Sequence, residues 1–144
     1  MKKGIAFYLN LLAALLGAAG LGLAVYSSGL SVDNALTGLP LVIAAGVIGV
    51  VLVVLAAVAP ARMGNHNPIT AISVIAAIAL YSYVYGQCAL QRIMLIAGLF
   101  SFNSGNTVGW TIFYVTVACA VCMVLACILL IVSSFCKTVK PVQQ

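Results

Sequence analysis

Charge is what this sequence has least of. Its 144 residues hold six Lys and Arg, one Asp or Glu and one His, and charged residues make up 5% of the chain. So few charges cannot cover a water-facing surface, so a soluble fold is excluded. The single histidine, His66, excludes paired-histidine haem ligation. It lies in a short connection without an acidic or cysteine neighbour, so it reads as a solvated loop residue and no metal site is expected. The one acidic residue, Asp33, also falls in a loop. No Asp, Glu, Lys, Arg or His lies inside any apolar run long enough to cross a bilayer, which removes the usual means of proton relay and ion-coupled transport. The basic residues are scattered, form no stripe and give nucleic acid nothing to bind.

What the chain has in quantity is apolar sequence: 65% of residues are hydrophobic, and the mean hydropathy is +1.29. Four runs are long enough to span, at about 4–26, 39–59, 68–86 and 108–135. The first follows Met1-Lys2-Lys3, a start that also describes a secretory leader. It is longer than a leader core and is read as a retained helix, stopping at Ser27-Ser28-Gly29. The second begins at Leu39-Pro40 and is expected to stop at Pro60. The connection 61–67 is short, which makes the second and third segments antiparallel neighbours. Asn67-Pro68 reads as a helix cap with proline at the first position.

The stretch 87–107 is ambiguous. Gln87, Gln91 and Arg92 fall at helical spacing, and 93–100 is apolar but too short to span. An extension of the third segment, an interfacial helix and a re-entrant segment all fit. The basic residues fix an orientation. With four crossings, Lys2, Lys3, Arg62, Lys137 and Lys140 share one side, and Arg92 and Asp33 share the other. The expected fold is therefore all-α: a single transmembrane domain, 1–144, forming an antiparallel, left-handed four-helix bundle in the cell membrane. Both termini are expected in the cytoplasm, and Tyr26, Tyr81, Tyr83, Tyr85, Trp110 and Tyr114 form an aromatic belt at the outer boundary.

Chemistry-bearing residues are few. Cys119 and Cys122 form a C-x-x-C, but Cys119 lies roughly 15 Å along the fourth segment by helical rise, near mid-membrane. Thiolates are disfavoured there, so packing is the stronger reading and a membrane thiol oxidoreductase a remote one. Ser73, Ala77, Tyr81 and Tyr85 share a stripe at four-residue spacing. With Gln87, Arg92 and Trp110, Tyr81 and Tyr85 are the candidate lining of a shallow outward pocket; structural anchoring of the same groups is the stronger alternative. An ion pair between Arg92 and Asp33 would join the two outer loops.

Small residues recur four apart, at Ala13 and Gly17, at Ala14, Ala18 and Gly22, and at Ala45 and Gly49. Such faces let helices approach closely in lipid, so Gly17, Gly22 and Gly49 are the candidate packing residues. The leading expectation is a non-enzymatic membrane protein that acts by helix association, as a homo-oligomer or with another membrane protein. The alternative is a channel or carrier for a small neutral or hydrophobic solute. No cofactor is expected under the first two readings.

Overall fold

The computed structural model describes residues 2–140, with side chains from Lys3 to Val139, so the Lys2 and Lys140 side chains used for orientation lie outside it. The described chain is helical apart from two paired two-residue strands. In order it forms β1 (Lys2–Lys3), α1 (Ile5–Gly29), α2 (Leu39–Met63), α3 (Pro68–Leu90), α4 (Ile93–Ser101), α5 (Thr107–Ser134) and β2 (Val139–Lys140). The helices α1, α2, α3 and α5 are long and apolar enough to cross a membrane. Their sides carry exposed Leu15, Leu41, Ile72, Ile75 and Ile128, an arrangement suited to lipid rather than water.

Helix boundaries follow local chemistry, and in three places they run past the expected stop. α1 continues through Ser27-Ser28-Gly29 because both serines are satisfied within the fold. Ser27 Oγ donates to the Ala24 carbonyl at 2.9 Å, and Ser28 Oγ accepts the Leu36 amide at 2.8 Å. α2 runs through Pro60 to Met63. A proline so near the end forfeits a single intrahelical bond, and its own carbonyl still accepts the Gly64 amide at 3.0 Å. The stop is Gly64, whose φ of 86° suits glycine. α3 likewise passes Gly86 to Leu90. Asn67 does cap α3, its Oδ1 accepting the Ile69 amide at 2.8 Å. The ambiguous stretch resolves into a turn at Gln91 and Arg92 followed by the separate helix α4.

α1 packs most extensively on α5, and α2 on α3; contacts of α1 with α2 and of α3 with α5 close a four-cornered ring. The start of the chain, the α2–α3 connection and the tail meet at one end. There β1 pairs antiparallel with β2, and the Asn65 carboxamide exchanges hydrogen bonds with the Val139 backbone at 2.9 and 3.0 Å. At the other end Gln91 ties the loop between α1 and α2, accepting from the Thr37 amide at 2.7 Å and donating to its carbonyl at 3.2 Å.

Tyr81 is the keystone of the interior. It belongs to the bundle core and not to a boundary belt, because it is fully buried. Its ring fills a notch made by two glycines on different helices. A Cβ at Gly17 would overlap the Tyr81 hydroxyl, and one at Gly49 would fall 2.8 Å from Tyr81 Cε1. These two small-residue positions thus serve packing within the chain. Among the described residues the Tyr81 hydroxyl has no hydrogen-bond partner. Tyr81→Phe is therefore expected to be neutral or stabilising by up to about 1 kcal/mol. Gly17→Ala should destabilise by about 1–3 kcal/mol through overpacking. Reversible unfolding in mixed micelles measures both, and loss of stability in Tyr81→Phe would contradict this assignment.

Candidate functional site

The five residues expected to line an outward pocket are each engaged elsewhere. Tyr81 is in the glycine notch, and Tyr85 is half-buried lower on the same helix face. Gln87 Oε1 accepts from Gln91 Nε2 at 3.1 Å, extending the tie to Thr37. Trp110 Nε1 donates to the Ser104 carbonyl at 2.8 Å, and its ring packs edge-on against Phe100 of α4, with centroids 5.1 Å apart. That contact, with Phe100 on Phe113 at 5.6 Å, seats α4 against α5. Gly22 is exposed, and a Cβ there would meet open space. It lies in an apolar groove between α1 and α2 lined by Ala18, Leu21, Val25, Ile43, Val47, Val50 and Val51.

Arg92 departs furthest from its expected place. It is a loop residue by sequence, yet it is only 1% exposed. Its side chain enters the bundle instead of reaching Asp33. Nη1 donates to Ser27 Oγ in the last turn of α1 and to Thr116 Oγ1 in α5, both at 2.8 Å. Those hydroxyls are free to accept because their own protons go to helix carbonyls, Ala24 for Ser27 and Ile112 for Thr116. A cation beside the C-terminal turn of α1 is also favoured by the helix dipole. Desolvation by burial lowers the Arg92 pKa, and the neighbouring Cys88 and Cys119 thiols oppose that shift. An arginine starts so far above neutral that it stays charged. Cys88 of α3 and Cys119 of α5 are both buried free cysteines.

The opposite end holds a cleft of about 450 Å³. It is lined by Asn10 of α1, by Asn65, His66 and Asn67 of the α2–α3 connection, and by Pro68, Thr70, Ala71 and Val74 of α3. Ser133 and Ser134 of α5 and Cys136 and Thr138 of the tail complete it. Among the described residues no Lys, Arg, Asp or Glu contributes. Asn10 and Ser133 are both buried, and Ser133 Oγ lies 2.5 Å from Asn10 Oδ1 and 2.8 Å from the Leu130 carbonyl. One hydroxyl proton cannot serve both acceptors. The network closes when the Asn10 amide is turned so that its nitrogen donates to Ser133 and Ser133 donates to Leu130. Two further lining atoms, Asn67 Nδ2 and Thr70 Oγ1, are buried without a partner among the described residues. The described lining therefore offers donors and acceptors but no net charge.

Sequence reasoning did not assemble this cleft. Asn10 bonds to a neighbouring helix through Ser133, but Thr70 and Ser133 carried no signal beyond being polar within apolar runs. The Arg92 contacts yield a stability test. Thr116→Val removes one of two acceptors from a buried cation and should cost about 1.5–3 kcal/mol. Unfolding titrations on the purified protein measure it, and an unchanged midpoint would refute the importance of the contact. No protein-family model matches the chain, nor does any characterised protein or solved structure, so its function is read from site geometry alone.

Proposed function

We propose that this chain is a non-enzymatic multi-pass protein of the cell membrane that binds and carries a small neutral polar solute. In this reading it is an antiparallel, left-handed four-helix bundle with both termini in the cytoplasm. The orientation is supported by Lys3, Arg62 and Lys137, which belong to the end where the termini meet. The observation that carries the functional reading is the terminal cleft with its unpartnered Asn67 Nδ2 and Thr70 Oγ1. Buried polar atoms are costly without partners, and a guest bearing hydroxyl or amide groups supplies them. A lining without charge favours neutral guests, and the volume suits a small molecule.

Polar groups continue along the bundle: the Tyr81 hydroxyl in mid-bundle, then Ser27, Thr116 and Arg92 at the far end. Passage of a solute requires Tyr81 to yield, because it fills the interior between Gly17 and Gly49. The experiment is stopped-flow light scattering on proteoliposomes with glycerol and urea as probes. The protein should raise the permeability of at least one above that of empty liposomes. Ala71→Phe, at an exposed position on the cleft wall, should remove the increase while leaving the helical content unchanged. Permeability equal to empty liposomes for both probes, with no saturable thermal stabilisation by either, would defeat the reading.

A second reading, helix association as a homo-oligomer or with another membrane protein, is favoured by the groove at Gly22. It is apolar, faces outward and has a floor without a side chain. Gly22→Leu would fill it. Under this reading, crosslinked oligomers in native membranes should decline in Gly22→Leu without loss of monomer stability.

A further inference from the structure

The guanidinium of Arg92 is only half satisfied. Nη1 has two acceptors, Ser27 Oγ and Thr116 Oγ1, whereas Nε and Nη2 are buried with no partner among the described residues. Those two nitrogens are not an arbitrary remainder. They form one edge of the planar group, with two parallel N–H bonds aimed the same way, which is the fork that takes two oxygens of a phosphate or carboxylate. The chain has only one acidic side chain with which to fill it. That residue, Asp33, is exposed, and Arg92 is instead held by hydroxyls. An uncompensated cation within a bundle is costly, and its presence marks a site in want of an anion.

We propose that the Nε–Nη2 edge of Arg92 binds one phosphate-type oxyanion where the bundle meets the bilayer surface. The level is set by Ser27 in the last turn of α1 and by the turn from α3 into α4, both at helix ends. The neighbouring surface suits a phosphate that arrives with acyl chains. Ile93, Met94 and Phe100 of α4 are exposed, Met94 by 83%. Arg92 is also the residue on which the chain turns into α4. Binding at this buried edge requires a local opening. The short helix α4, which starts directly after Arg92 and is held chiefly by α5, is the element beside it that can yield while the ring of four long helices stays intact. The hydroxyl contacts of Nη1 orient the fork in advance, so binding orders little new structure.

The test is a thermal-unfolding titration of the full chain in dodecyl maltoside micelles, which carry no phosphate, using phosphatidylglycerol and inorganic phosphate as separate probes. Saturable stabilisation by phosphatidylglycerol alone supports the site and names a lipid headgroup as its source. Equal stabilisation by inorganic phosphate supports the site and names the free anion. No response to either overturns the proposal in the wild-type protein, with no dependence on a variant folding. Arg92→Lys keeps the charge but not the fork, so its half-saturation should rise about tenfold. A response in Arg92→Lys equal to wild type would overturn the assignment. The paired variant Lys3→Gln/Lys137→Gln, at the other end, should respond as wild type does; loss of the response there would place the anion on surface lysines and also overturn it.

Discussion

A polar group buried among apolar helices must find its partners inside the protein, and the structure depends most on the part of that demand that is met at Arg92. A cation set among helices that supply no carboxylate would ordinarily be expelled. Here it is held by two hydroxyls, Ser27 on α1 and Thr116 on α5, at 2.8 Å each. Both hydroxyls are turned toward it because their protons are already committed to helix carbonyls. The contact joins the end of the first long helix, the end of the third and the body of the last. It therefore fixes one end of the ring much as the paired termini and Asn65 fix the other.

Between these ends the interior is set by size. Gly17 and Gly49 make room for a tyrosine ring that no larger residue at either position would admit. Ala13, Ala56, Ala77 and Ala126 keep the remaining layers narrow, with Met123 and Leu130 filling them from α5. Small residues that read as an association face are thus mostly turned inward, and of that set Ala18 and Gly22 are left on the outside. The division separates two functions of the same residue type: close packing within the chain and an open groove toward lipid.

The sequence announced the four long helices and the cap at Asn67, because apolar length and capping chemistry are local, but it left the path after α3 open. It misplaced the ends of α1, α2 and α3, since Ser27-Ser28, Pro60 and Gly86 are tolerated where neighbouring groups satisfy the backbone. Arg92 was legible only as a loop charge. Its burial depends on how a turn at residues 91–92 aims the side chain relative to helices 65 and 24 residues away in sequence. The cleft was less legible still. Asn10, Thr70 and Ser133 lie on three helices, and only the register between those helices brings them together.

The central claim is that the end of the bundle where the termini meet carries a water-accessible polar cleft facing the cytoplasm. Cys136 lines that cleft, whereas Cys88 and Cys119 are buried in the bundle. The direct measurement is labelling of the native protein with a membrane-impermeant maleimide, in inverted and in right-side-out vesicles, with the modified cysteine identified by mass spectrometry. The account predicts modification of Cys136 in inverted vesicles only. Modification in right-side-out vesicles, or in neither preparation, would contradict it.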